Sequence, residues 1–378
     1  AVSRDAGLVA AGKPAESGMD EQALAKIHKR MEEFIAARQI TGAVTLVARR
    51  GRVVYLDAAG QADVAGDRKL ATDSLFAIAS MTKPITAAAV MILQDEGKLK
   101  LDDPVSKYIP AFSQTTLADG NKPAREVTVR DCLRHTNGLK SDQKNVGTLA
   151  ETAEALAKSK LEFEPGSKWF YGPGLSVAGR VVEVASGKAF DQFLTERIFS
   201  PLDMKETSFR PTPEQGQRLA KLYQPTADKK DLEPGKHWLF ELSPETTPNP
   251  SGGLYSTAAD IVRFYQMVLN GGDLNGKRVL SAEAVRQMTS FQTEENIPGL
   301  GAETGWGLGF SLVREPKGGM QMVSAGTFGH GGAFGTQSHA DPAKETIFIL
   351  MIARQGFGND GPDLRAEFQK LAVEAIRN

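Results

Sequence analysis

Apolar positions recur at helical spacing between residues 20 and 38, where Leu24, Ile27, Met31, Phe34 and Ile35 form one stripe that starts just after Gly18. Such a stripe marks a surface helix covering an apolar layer. Two β-rich runs follow, 43–48 and 53–58, separated by Arg49-Arg50-Gly51-Arg52. Gly51 at the turn makes them a hairpin. Strand-like runs return near the other end at 310–313, 320–323 and 346–352, and a last helix carries Leu364, Phe368, Leu371 and Ala375 on one face. Hairpin connections at both ends predict an antiparallel sheet, with the two terminal helices covering one face.

The middle of the chain reads differently. From Lys83 to about residue 200 the pattern is mostly helical: an all-round apolar helix ending at Gly97, another near 127–135, and one over 175–186 stopped by Gly187. Residues 201–250 hold eight of the nineteen prolines, which excludes long helices and central strands there. That stretch is expected to be irregular coil around the helical part, and a candidate wall of a substrate cleft. At 378 residues the chain exceeds the size that one core usually fills. The expected organisation is a split α/β subdomain, 1–75 together with 255–378, and a mainly helical subdomain, 76–254, forming one catalytic unit of α/β (α+β) class.

Composition narrows the function classes. The apolar and charged fractions, 41% and 24%, are ordinary for a soluble globular protein, and a net charge of −1 offers no attraction for nucleic acid. The longest strongly apolar run, 347–353, is too short to span a bilayer. A single cysteine, Cys132, excludes an internal disulfide framework. There is no H-E-x-x-H and no paired Cys/His spacing, so neither metal nor cofactor is expected. The chain starts at Ala1 without a charged or apolar leader pattern, which leaves the compartment open: periplasmic or secreted after removal of a leader, or cytoplasmic. Oligomeric state is equally open.

The candidate chemistry begins at Ser80-Met81-Thr82-Lys83, where a polar loop gives way to the apolar run 84–93. Proline is tolerated only in the first turn of a helix, so Pro84 places Ser80 at or just before a helix start. The free amides and positive dipole end there favour negative charge near the serine oxygen and disfavour a protonated amine at Lys83. By itself the tetrad is equally a helix cap beside a solvated lysine, and a second copy, Ser141-Asp142-Gln143-Lys144, reads as a polar turn.

A serine nucleophile needs a base and donors for an oxyanion. No G-x-S-x-G elbow occurs. His28 and His237 have no serine motif beside them, His135 is expected to satisfy carbonyls at a helix end, and His339 reads as structural or surface. Two other segments complete a scheme without histidine. In Trp169-Phe170-Tyr171-Gly172-Pro173-Gly174, a tyrosine beside Lys83 would have its phenol pKa lowered and serve as a base. In Phe328-Gly329-His330-Gly331-Gly332-Ala333-Phe334-Gly335-Thr336, glycines permit close backbone approach, and the Ala333 amide could join that of Ser80 as an oxyanion hole.

These three segments, in this order and spacing, resemble the motifs of the serine β-lactamase and penicillin-binding-protein superfamily, most closely its class C branch and the family VIII carboxylesterases. Leu101-Asp102-Asp103-Pro104-Val105-Ser106-Lys107-Tyr108-Ile109-Pro110, the run 133–139 and Gly252-Gly253-Leu254-Tyr255-Ser256-Thr257 add to the likeness, which extends from about residue 20 to the C-terminus. The resemblance implies a β-lactamase/DD-peptidase-like fold and an acyl-enzyme mechanism: Ser80 as nucleophile, Lys83 and Tyr171 sharing base and proton relay, and the Ser80 and Ala333 amides holding the oxyanion.

Departures from the lactamase pattern bear on substrate. Pro173 stands where lactamases carry an asparagine, His330 where they carry a lysine, and Gly331 in place of a threonine. Each change weakens recognition of an anionic amide. The expected function is therefore a carboxylesterase acting on small to medium acyl esters. The alternatives are a β-lactamase or D-alanyl-D-alanine carboxypeptidase/transpeptidase, an acyltransferase, and a non-catalytic penicillin-recognising or peptidoglycan-binding module. Candidate substrate-binding residues are His330, Gly331, Gly332, Phe334, Pro173, Trp306 and Trp238, with Trp169 and Phe328 as further apolar walls.

Overall fold

The computed structural model describes residues 10–140, 147–356 and 363–377, so the second tetrad at Ser141 lies outside the described residues. The hairpin forms as Gly42–Arg49 and Arg52–Asp63, antiparallel, with Arg49 opposite Arg52. Its two-residue turn places both Arg50 (φ 53°) and Gly51 (φ 76°) in the left-handed region, the twist that matches right-handed strands.

Among the described residues nine strands make one sheet. The order is Ala10–Ala11, Arg52–Asp63, Gly42–Arg49, Thr346–Met351, Gln337–Asp341, Phe328–Gly331, Ser311–Val313, Thr304–Trp306, with Arg68–Lys69 paired to Arg52–Asp63. Every pairing is antiparallel except that of the two-residue first strand. Residues far apart in sequence meet at the Gly42–Arg49 and Thr346–Met351 register, where Val47 lies opposite Phe348.

Both sheet faces are covered, which is why Gly42–Arg49 is buried at every position. Ala43 and Val47 face a cluster containing Met31, Phe34, Phe348 and Phe368, supplied in part by helix α1 (Glu21–Ala36) and the terminal helix Leu364–Glu374. Val44, Leu46 and Ala48 face the larger core with Ile347, Ile349 and Met351. The terminal helices thus share one face, as their stripes predict, and α1 is capped by Asp20, whose Oδ1 accepts from the Ala23 amide at 3.1 Å.

One expected strand is absent. Residues 320–323 alternate like a strand, but Gly318–Met320 is a tight turn and Met320 packs beside the terminal-helix cluster. Gly318-Gly319 interrupts the extended chain, and the sheet position beside Ser311–Val313 is taken instead by Phe328–Gly331.

Opposite the sheet's other face lie α2 (Thr82–Asp95), α3 (Val129–Leu133), α4 (Leu149–Lys158) and α5 (Gly174–Ser186), with α5 packed on the other three. A Cβ at Gly174 would come 2.4 Å from the Cys132 carbonyl oxygen, so only glycine lets α5 start this close to α3. Between residues 201 and 250 the chain is irregular, broken by Pro213–Gln217, a small hairpin of Tyr223–Pro225 with Leu232–Pro234, and a turn at Trp238–Phe240.

The loop after α3 is clamped by a buried charge. Asp131 is fully buried and takes a bidentate pair from Arg125 (2.5 and 3.0 Å), a third bond from Arg134 (3.0 Å) and a fourth from Thr136 Oγ1 (2.8 Å). Burial would raise its pKa, but the Arg125 and Thr128 hydrogen bonds and the two arginine charges outweigh that and hold it low. A lowered carboxylate pKa supplies stability above the unfolded value that is lost as pH falls through the folded one. Asp131→Ala is expected to cost about 3 kcal/mol in urea unfolding at pH 7, because it removes the buried acceptor that Arg125, Arg134, Thr128 and Thr136 share.

Candidate active site

The chain turns sharply before Ser80: Ala79 has φ 44°, a left-handed conformation that residues with a side chain rarely hold. Ser80 then sits in the tight turn Ala79–Met81 that leads into α2, with Pro84 in the first turn and Thr82 Oγ1 donating to the Ala79 carbonyl at 2.7 Å. Ser80 is partly exposed. One helical turn on, Lys83 is buried, and its Nζ donates to Ser80 Oγ at 3.0 Å and to the Ser251 carbonyl at 2.6 Å. Thr86 Oγ1 donates to the neighbouring Pro250 carbonyl at 2.7 Å, which seats residues 250–251 along α2.

Burial alone brings the Lys83 pKa down to about 7. Hence close to half the amine is unprotonated at neutral pH, in contact with the serine oxygen. Nζ also lies 4.7 Å from the centre of the Tyr171 ring. Tyr171 differs from expectation: the residue is 37% exposed, but the protein packed around its hydroxyl desolvates the phenol and pushes it up to about 12, and the Ser80 hydroxyl offsets this only in part. The Lys83 charge does not lower it, because at the pH where a phenol near 12 titrates an amine near 7 has already lost its proton.

Tyr171, Trp169, Trp306, His135 and His330 form one cluster of rings. Trp306 meets His135 at 5.1 Å, Trp169 at 5.2 Å, His330 at 5.7 Å and Tyr171 at 6.1 Å between centroids. Trp306 is buried at the end of the edge strand. His330 is buried on Phe328–Gly331; its Nδ1–H donates to the Gly331 carbonyl at 2.6 Å, and burial together with the Lys83 charge lowers its pKa to about 3. His330 is a neutral side chain.

The segment after His330 folds back tightly, the Gly332 amide donating to the Thr336 carbonyl at 2.7 Å. A Cβ at Gly332 would fall 2.6 Å from the Ile78 carbonyl oxygen and 2.0 Å from Thr336 Oγ1. Glycine therefore lets this turn lie against the residues just before Ser80. Ala333 is exposed, and among the described residues neither its amide nor that of Ser80 donates to a backbone carbonyl.

Other candidate residues fall elsewhere. Pro173 forms the N-cap of α5 beside Tyr171. Trp238 stands 44% exposed on its turn. Phe334 is buried beneath that turn, ring to ring with His237 at 4.9 Å and Phe240 at 5.1 Å, and so supports the turn without lining a cleft. Phe328 is core, packed on Tyr265 and Phe310. His339 faces Gln369 at 3.3 Å beneath the terminal helix. His135, expected to satisfy carbonyls at a helix end, is instead buried behind Tyr171, and its Nδ1 accepts from the Gly172 amide at 3.3 Å. The Ser251 carbonyl had no local signal, since it lies 168 residues from Lys83. Among the described residues no group of three or more His, Cys, Asp or Glu could hold a metal, and no helix is long and apolar enough to cross a membrane.

A serine bonded to a buried lysine at a helix start, beside the glycine-rich end of a strand in a helix-covered antiparallel sheet, defines a serine hydrolase of the β-lactamase and penicillin-binding-protein fold. The chain belongs to the Beta-lactamase family, whose model matches residues 27–372. It is 30% identical to esterase EstB of Burkholderia gladioli over 391 residues, covering 92% of this chain and 95% of EstB. It is 27% identical to a putative D-alanyl-D-alanine carboxypeptidase of Escherichia coli O157:H7 over 370 residues, 89% of this chain and 84% of that one. Among solved structures it resembles EstCE1, a hydrolase with promiscuous acyltransferase activity, at a TM-score of 0.82 and 25% identity, covering 94% and 99% of the two chains.

Proposed function

We propose that the protein is a carboxylesterase that forms an acyl-enzyme on Ser80 and acts on small to medium acyl esters. The observation that carries this reading is the 3.0 Å contact between Ser80 Oγ and a buried, readily deprotonated Lys83 amine. Ser80 Oγ attacks the ester carbonyl carbon while Lys83 Nζ takes the serine proton. The amides of Ser80 and Ala333 hold the oxyanion. Collapse expels the alcohol, which receives the proton through Tyr171. Water then attacks the acyl-enzyme carbonyl, its proton passing to the same pair and on to Ser80 Oγ as the bond from the acyl carbon to that oxygen breaks, and the acid departs.

Lys83 takes the first proton in this scheme, because a phenol near 12 is almost wholly protonated at neutral pH whereas the amine is not. The neutral His330 supports the choice of ester over β-lactam, since a permanent cation is missing where an anionic carboxylate would need one. The likeness to EstB, named an esterase, supports the same choice.

The test is a substrate comparison: p-nitrophenyl acetate, butyrate and octanoate beside nitrocefin and a D-Ala-D-Ala peptide. At least one ester is expected to exceed both others in kcat/KM by about 100-fold, roughly the ~3 kcal/mol that an unmatched buried charge costs. Nitrocefin or the peptide outrunning every ester would overturn the ester assignment.

A further inference from the structure

The scheme above leaves unused a buried histidine held in strained backbone. His135 has φ 62°, and its side chain is wholly buried. Residues other than glycine keep this conformation only when their surroundings enforce it, and such strain gathers at functional sites. The enforcing neighbours are Arg134 and Thr136, both bound to Asp131.

His135 grips Tyr171 in three ways. Its carbonyl accepts from the Phe170 amide at 2.9 Å, its Nδ1 accepts from the Gly172 amide at 3.3 Å, and its ring lies 4.5 Å from the Tyr171 ring at a tilt of 33°. A backbone amide can only donate, so Nδ1 carries no proton and the neutral ring holds its proton on Nε2. Nε2 has no hydrogen-bond partner among the described residues, and the indoles of Trp306 and Trp169 stand nearly perpendicular to the imidazole. Protonation would spoil the Gly172 bond; burial and the neighbouring Lys83 charge both oppose it.

We propose that His135 is a positioning residue for Tyr171, fixing the turn 170–172 through its Nδ1 acceptor so that the phenol stays in reach of Ser80 and Lys83. The proposal rests on the proton-relay reading of Tyr171. Two substitutions separate the acceptor from the backbone strain. His135→Gly relieves the left-handed strain and removes the acceptor, whereas His135→Asn tolerates the same φ and carries an amide oxygen at the place of Nδ1.

Kinetics with p-nitrophenyl butyrate, the rate of Ser80 labelling by a fluorophosphonate, and Tm would be measured for both, with Tyr171→Phe alongside. His135→Gly is expected to lower kcat by about 30-fold, part of the ~10²–10⁴ that a positioned proton-transfer group supplies, with KM little changed and labelling, in which fluoride leaves without a proton from Tyr171, less affected. His135→Asn is expected to recover most of that loss. Parental kcat in His135→Gly, or equal losses in the Gly and Asn variants, would overturn the positioning role. Tyr171→Phe tells the two ideas apart: if it is impaired while His135→Gly is not, only the histidine's role fails; if it keeps parental kcat, the Tyr171 reading itself fails.

Discussion

Ser80→Ala is expected to lower kcat/KM for p-nitrophenyl butyrate by about 10⁵-fold, the scale seen when a serine nucleophile is deleted from an acyl-transfer site. The loss is large because the covalent step has no substitute: Lys83 is aimed at Ser80 Oγ, 3.0 Å away. Stability should change little, since Ser80 is partly exposed and Lys83, which loses its bond to the serine oxygen, keeps the one to the Ser251 carbonyl. Unchanged Tm together with lost turnover and lost fluorophosphonate labelling identifies the nucleophile. Ester hydrolysis at the parental rate in Ser80→Ala would exclude it.

What could be read beforehand follows the range of the interactions involved. The spacing of Ser80, Lys83 and Pro84 is local to one helix start, so the placement of Ser80 beside Lys83 was legible to within a turn. The hairpin at Arg50-Gly51 was legible for the same reason. The strand Gln337–Asp341 was not, because Gly335, Pro342 and mixed polarity hide its alternation, while 320–323 mimics a strand that Gly318 prevents. Position along the chain also says nothing of depth. Phe334 and Trp238 look alike as aromatic walls, yet one is buried and the other nearly half exposed. The pKa of Tyr171 was expected to fall because a lysine is its neighbour; desolvation of its hydroxyl decides the direction, and that is a property of the whole fold.

The same desolvation makes the second large effect twofold. Lys83→Met is expected to reduce kcat/KM by about 10³-fold or more, through loss of the base, and at the same time to stabilise the protein. The sign follows from proton counting. The folded pKa of Lys83 is about 7, against 10.5 for the free side chain, so between those values the unfolded chain binds more protons and stability rises with pH. Well below pH 7 the full penalty stands, about 5 kcal/mol for a displacement of this size, and at pH 7 itself about 4 kcal/mol of it remains. Methionine fills a similar volume without a charge, but it leaves the Ser251 carbonyl, now bonded at 2.6 Å, without its donor, which costs about 2 kcal/mol. The net gain at pH 7 is therefore about 2 kcal/mol in urea unfolding, and it should shrink and reverse sign as the pH approaches 10.5. The parent's kcat/KM should meanwhile climb about tenfold per pH unit below 7 and level off above it, as the amine loses its proton. A variant that is inactive yet no more stable than the parent at pH 7 would mean that Lys83 keeps its proton in the folded state and that its amine is not the base.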